Sequence, residues 1–256
     1  MQPTLIRVRS THFGFLLNYS PTLSLLATIE QMIPGENFFP RLLQLPLFQG
    51  IGRGDFWEIA ELIRIAFHRL EAGKVLVRAG DPCRSLLFVM KGTLCAQRAD
   101  DRHRYTFREY LNSPMVVQPE CLFGLATQYT RTFTVAEDIQ YFEIKKEDVR
   151  DVLFNYETFR INYLNLLSRY AQYATHRMWK CPSEDVAGRF NQFILARAMH
   201  PAGRKELHIR MEDLAEELLT TRLRVSEHLR QMQSEGLLIS QRGRILIPAL
   251  ERLVNQ

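Results

Sequence analysis

The side chains with the clearest chemical reach lie near the carboxy terminus. Arg222, Arg224, Arg230, Arg242 and Arg244 fall in a stretch whose only acids are Glu227 and Glu235. An arginine fork can bridge guanine N7 and O6, and a glutamate can accept from cytosine N4. Arginines can also neutralise backbone phosphates, which positions a protein on a duplex and makes its affinity salt-dependent. The pattern around these residues separates the two roles. Met211 to Leu218 reads as a short amphipathic helix with Leu214, Ala215 and Leu218 inward. Leu219-Thr220-Thr221 is a turn, and either threonine can cap the next helix. That second helix is Arg222 to Glu235, with Val225, Leu229 and Met232 inward, and Gly236 stands where a positive φ would end it. Two apolar runs, Leu237–Ser240 and Ile245–Ile247, then flank the turn Gln241–Arg244 with Gly243 in it. This order is a helix-turn-helix with a wing. Arg222, Leu223, Ser226 and Glu227 are expected to read base edges. Thr220, Thr221, Arg224, Arg230, Arg242 and Arg244 are expected to hold phosphates. The competing reading is a helical hairpin for protein contacts, with solvated arginines.

Other chemistries find little support. The four cysteines, Cys83, Cys95, Cys121 and Cys181, include no C-x-x-C pair, so no zinc knuckle is expected. The scatter suits reduced thiols. His68, His103 and His176 are isolated candidates for haem ligation, and a lone histidine is more often structural. No metal, haem or iron–sulfur cluster is indicated. No G-x-S-x-G, P-loop or H-E-x-x-H motif occurs. Ser226 and His228 stand at i and i+2 on a helix and point apart, so they form no dyad. Catalysis is not expected.

The elements that must position the arginines come earlier. From about Phe67 to Ile144 the chain is short-period and β-like: Val75–Val77, Leu86–Met90, Gly92–Gln97, Tyr105–Tyr110 and Gln140–Ile144. Turn residues punctuate these runs, which predicts an antiparallel roll or jelly roll. A helix is expected between Asp55 and Ala66, and helical sequence resumes at Lys145. Leu164, Leu167, Ala171, Ala174, Met178 and Cys181 then step by three and four, a heptad seam. Tyr163, Leu166, Tyr170 and Tyr173 form a second stripe beside it. Two stripes want two partners: the chain's own roll and a symmetry mate. The alternative is one helix with a wide core-facing stripe. Pro182 ends this helix. Ser183-Glu184-Asp185 caps another, with Phe190, Phe193, Ile194 and Ala198 on one face, and His208–Arg210 looks like a short strand.

The bulk numbers agree with a globular chain. It has 256 residues, 46% hydrophobic and 24% charged, with a net charge of +5. That permits a nucleic-acid partner and argues against disorder. No apolar stretch is long enough to span a membrane, and a cytoplasmic location is expected. Arg7, Arg9 and the interrupted apolar run Phe13–Ala27 resemble a signal peptide only loosely, and Met32 is read as the natural start.

These residues together resemble the Crp–Fnr superfamily of bacterial regulators over about Leu45 to Leu250. The resemblance rests on the roll with Gly80 and Gly92, the segment from Pro119-Glu120 to Arg131-Thr132, and the run Asp185–Arg189. It also rests on Leu214-Ala215 through Leu237–Ser240. It implies a fold of class α+β: an antiparallel jelly-roll (double-stranded β-helix) sensor domain, a long dimerisation helix and a winged helix-turn-helix. The expected division is 1–40 as an extension, 41–153 as the sensor, 154–181 as the dimer helix and 182–256 as the DNA-binding domain. Leu164, Leu167, Ala171, Ala174 and Met178 would line the dimer interface. The implied function is a homodimeric, double-stranded-DNA-binding transcription regulator with a small-molecule effector. RNA polymerase is a further candidate partner. The alternative is a roll that regulates a protein partner rather than DNA. By resemblance, Glu120, Arg131, Thr132 and Thr175 would hold the effector. Three departures argue against cyclic AMP: Pro119 in place of a glycine, one extra residue between Glu120 and Arg131, and Ala174 where a hydroxyl is expected. The alternative account is that Glu120 and Arg131 form an ion pair in a roll with another ligand or none.

Overall fold

The computed structural model describes residues 38–63, 65–179 and 181–254. The expectation that Met32 is the natural start lies outside them. Helix α1 (Phe38–Leu42), a tight turn at Pro46–Phe48 and α2 (Arg53–Leu62) lead into the strands. Strands β1 (Ala66–Leu70), β2 (Val75–Val77), β3 (Ser85–Ala99), β4 (Thr106–Asn112), β5 (Met115–Val117) and β6 (Thr132–Lys145) come first. Helices α3 (Lys146–Asp151), α4 (Glu157–Met178) and α5 (Val186–Arg197) come next. The chain closes with β7 (Lys205–His208), α6 (Met211–Glu217), α7 (Arg222–Ser234), β8 (Ile239–Gln241), β9 (Arg244–Ile247) and α8 (Leu250–Val254).

Several expectations are corrected. Leu86–Met90 and Gly92–Gln97 are one strand, β3. Gly92 adopts φ 90°, and a Cβ there would sit 2.2 Å from the Asp138 carbonyl oxygen. Glycine therefore bends the strand without ending it, and the β3–β6 register shifts at this point. The first long helix stops at Leu62 rather than Ala66, because Ala66 pairs with Glu143 of β6. The short strand expected at His208–Arg210 is displaced to Lys205–His208, where it finds pairing partners on both edges. Cys181 lies beyond the end of α4 and is exposed.

Among the described residues nine strands join in the path β1-β6-β3-β4-β7-β9-β8, with β2 on β6 and β5 on β3. All pairings are antiparallel. The sheet therefore runs unbroken from the roll into the wing. Two cores flank the crossing. One packs the roll against α1, α2 and the first half of α4, around Phe48, Phe88, Phe142 and Phe159. The other lies under α5 to α8, and it includes Tyr105 and Phe107. Strand β4 alternates strictly, so Phe107, Glu109 and Leu111 share one face. Along that face Leu111 joins the first core and Phe107 the second. No helix of the described residues is long and apolar enough to cross a membrane.

Candidate nucleic-acid interface and effector cassette

Helix α7 has two faces. Val225, His228, Leu229 and Met232 are buried, whereas Arg222, Leu223, Arg224, Glu227 and Arg230 are exposed and Ser226 is half-buried. Leu223 keeps 67% of its surface. The Thr221 hydroxyl accepts from the Arg224 amide at 3.4 Å and caps the helix, while Thr220 is half-buried in the turn. Gly236, at φ 69°, takes the chain out of α7. Leu219 also has positive φ, 49°, with its side chain 81% exposed. Desolvation pushes the His228 imidazole below its ordinary pKa, and its Nε2 is buried without a hydrogen-bond partner among the described residues.

The arginines divide by their partners. Arg222 pairs with Glu212 of α6 at 3.2 Å, both largely exposed. Arg224, Arg230 and Arg242 are exposed and carry no ion pair among the described residues. Arg244 behaves differently: its Nε and Nη2 donate to both oxygens of Glu206 at 3.0 Å. Of the two wing arginines, Arg242 at the hairpin tip is thus the one left open. The acids of α6 are also drawn elsewhere. Glu216 and Glu217 grip Arg104 of the β3–β4 hairpin at 3.0 and 2.7 Å.

Gln118 organises the cassette of the roll. It sits in the left-handed region at φ 37° and is buried. Its amide nitrogen donates to Thr130 Oγ1 at 2.6 Å and to Glu120 Oε1 at 3.3 Å. Its amide oxygen accepts from the backbone nitrogens of Thr130 and Arg131. One side chain therefore ties the Pro119-Glu120 turn to the start of β6. Glu120 and Arg131 form no ion pair among the described residues. Burial pushes the Glu120 carboxyl above its usual range, and burial with Arg98 and Arg177 nearby pushes the Arg131 guanidinium down. Arg131 Nη2 donates to the Arg197 carbonyl at 2.7 Å, and its Nη1 is buried with no hydrogen-bond partner among the described residues. The Thr132 hydroxyl accepts from the Ala79 amide instead, on the other side of the strand. Thr175 is exposed on α4 and is not brought to this group.

Helix α4 shows the two stripes. Phe159, Tyr163 and Leu166 are buried against the roll. The Tyr163 hydroxyl donates to the Pro119 carbonyl at 2.7 Å, so the long helix touches the cassette turn directly. Leu164 and Met178 stay 53% and 83% exposed, Ala171 and Ala174 are exposed, and Leu167 is half-buried.

The seam between the two halves was missed by sequence reasoning. Residues Thr106 to Glu109 of β4 pair with His208 to Lys205 of β7. Glu109 meets Lys205 at 2.8 Å, with both side chains fully buried. The same carboxylate accepts from the backbone nitrogens of Met199 and His200 at 2.7 and 2.9 Å. Arg197 donates to the Tyr105 hydroxyl and to Glu217. One sequence signal existed: Glu109 is a charge at the inward phase of a strand between Phe107 and Leu111.

Known families match along the same division. A cyclic nucleotide-binding domain profile matches residues 67–156, and a Crp-like helix-turn-helix domain profile matches residues 188–255. No curated protein sequence matches the chain. Solved structures similar to it include the Thermus thermophilus catabolite activator protein. It is 18% identical, covers 82% of this chain and 96% of that one, and has a TM-score of 0.43. The c-di-GMP responsive global regulator CLP of Xanthomonas campestris is 18% identical over 72% of this chain and 94% of that one, with a TM-score of 0.44. FixK2 of Bradyrhizobium japonicum is 17% identical over 75% and 97%, with a TM-score of 0.42. The two family profiles, in this order and joined by the long helix α4, place the chain in the Crp–Fnr superfamily of DNA-binding transcription regulators.

Proposed function

We propose that the chain works as a homodimer, paired through the open stripe of α4, that lays two copies of α7 in successive major grooves. The carrying observation is the split of α7: its apolar face is buried, and the face with Arg222, Leu223, Ser226 and Glu227 opens to solvent. Arg222 would then exchange Glu212 for a guanine edge. That exposed pair is worth little, so leaving it costs little. Leu223 would lie against a thymine methyl group. Thr220, Thr221, Arg224, Arg230 and Arg242 would hold phosphates, and Arg244 would join them only after release from Glu206. Two-fold pairing would set half-sites about 34 Å apart. Leu164, Leu167, Ala171, Ala174 and Met178 supply the apolar stripe for that pairing.

The roll would act as the sensor, with residues up to 153 forming it, 154–181 the dimer helix and 182–256 the DNA-binding part. Glu120 and Arg131 form its polar floor. Thr132 and Thr175 point elsewhere in this structure and would have to move to take part. RNA polymerase is a further partner in this reading, and the chain acts by binding rather than by catalysis. Gel shifts over a randomised operator set test the reading. Arg222→Ala is expected to weaken specific binding by about 1–3 kcal/mol and to relax one base position. Unchanged affinity and selectivity would sink it.

A further inference from the structure

The roll's mouth is already occupied by the chain itself. The end of α5 enters it and splits the space in two. One cleft, of about 240 Å3, is lined by Arg98, Asp100, Asp101, Tyr105, Arg131 and Arg197 among others, so cations and acids both face it. The other, of about 210 Å3, is lined by Glu120, Tyr170, Arg177, Ala198, Met199 and His200 among others. Both cassette residues are thus faced by the same short segment. The contacts have the character of anion recognition. Arg131 donates to the Arg197 carbonyl, and Arg177 of α4 donates to the Leu195 carbonyl. The last carbonyls of a helix carry its partial negative charge, about half an elementary charge, and attract cations. Two guanidiniums therefore hold a helix end as they would hold an oxyanion.

We propose that the end of α5 and the three residues after it, Leu195 to His200, are a built-in stand-in for the effector, so that an anionic ligand and the winged domain compete for Arg131. This rests on the reading of the roll as a sensor. The plug is held from behind by Glu109, which fixes the Met199 and His200 amides and pairs with Lys205. It is held from above by the β4–β7 ladder and by Arg104 on Glu216 and Glu217. An oxyanion that took both terminal nitrogens of Arg131 would satisfy the orphaned Nη1 and displace the Arg197 carbonyl. Displacing that carbonyl loosens the first contact of the seam, and the winged domain is then free to take a second orientation. Ligand affinity and domain release are linked, because a ligand that needs the open state binds in proportion to its population.

Two measurements on the full chain test this. The first needs no ligand: phenylglyoxal labelling of arginines, read residue by residue by mass spectrometry. Arg131 should label slowly in the natural sequence, and about tenfold faster in Glu109→Gln, with Arg230, exposed on α7 and outside both clefts, unchanged as the internal standard. The second is calorimetric titration with inorganic phosphate. Phosphate should bind Glu109→Gln about tenfold more tightly than the natural sequence, and binding should vanish when Arg131→Gln is added. If Glu109→Gln does not fold, Arg104→Ala loosens the same seam from its half-buried rim and should shift both readouts in the same direction, about twofold. Arg131 labelling that does not rise on opening overturns the plug and leaves the sensor untouched. Labelling that rises with no phosphate binding to any variant overturns the sensor reading, and the competition with it. Equal phosphate affinity in closed and opened chains overturns the competition.

Discussion

The open face of α7 and the β4–β7 seam are both rich in arginine, yet they treat it in opposite ways. On α7 and the wing tip, Arg224, Arg230 and Arg242 stand in solvent without an ion pair among the described residues. In and beside the seam the guanidiniums among the described residues have internal partners, though Arg131 leaves one nitrogen over: Arg104 on Glu216 and Glu217, Arg197 on Tyr105 and Glu217, Arg131 on a carbonyl, and Arg244 on Glu206. Unpaired exposed arginine costs the fold nothing and leaves charge for a polyanion. Buried or half-buried arginine must be satisfied within the chain. Charge counted along the sequence therefore says less than charge counted after the internal partners are subtracted.

The comparison is broken hardest at the seam. Glu109→Ala leaves Lys205 buried and unpaired and orphans two backbone amides. It is expected to cost about 3–5 kcal/mol in urea unfolding, whereas Glu109→Leu with Lys205→Met should recover the part due to the buried Lys205 charge, leaving the Met199 and His200 amides without their acceptor. A double variant as unstable as the single one would show that the ladder, not the ion pair, carries the seam. On the open face the effects are smaller and of another kind. Arg242→Ala should leave stability alone and lower the slope of log affinity against log salt by about 0.9, equally for all DNA sequences. A sequence-dependent loss would move Arg242 from phosphate to base contact.

Two finer variants sharpen the picture within the helix-turn-helix. Leu219 holds a left-handed conformation that a residue with a side chain adopts at a cost, and its side chain is largely exposed. Leu219→Gly should raise stability by about 0.5–1 kcal/mol, seen as a higher unfolding midpoint with unchanged DNA affinity. A drop in affinity would make the leucine a DNA contact. Glu212→Gln frees Arg222 from an exposed pair, and should tighten DNA binding by a few tenths of a kcal/mol. Weaker binding would mean that Glu212 positions Arg222 rather than holding it back.

Local structure was legible where its causes are local. The helix-turn-helix arises from side chains a few residues apart: Thr221 caps, Val225 and Leu229 are buried, and Gly236 exits. The two stripes of α4 were legible for the same reason, since periodicity along one helix records which sides want cover. The roll was legible as a kind of structure but not in its parts. Gly92 looks like a turn residue in sequence, and only the β6 backbone beside it shows that the strand continues. Nothing near Lys205 says that its neighbour is Glu109, ninety-six positions earlier by their numbering. Resemblance singles out Glu120 and Arg131, but nothing in the sequence says that the segment around Arg197 to His200 faces both of them. Pairing between distant segments leaves only faint marks on either one, here a single acid at the inward phase of β4.

The placement of Tyr105 and Phe107 bears on how this protein could be taken apart. Both belong by chain position to the roll, and both are packed among Phe190, Phe193 and Leu207 under the winged fold. A fragment cut at Pro182 would arrive without them, with a raw apolar hollow and an unpaired edge on β7. Such a fragment should aggregate unless the hairpin is supplied with it. Chimeras that graft this winged fold onto another sensor would meet the same obstacle, because Tyr105 and Phe107 would stay behind with the roll.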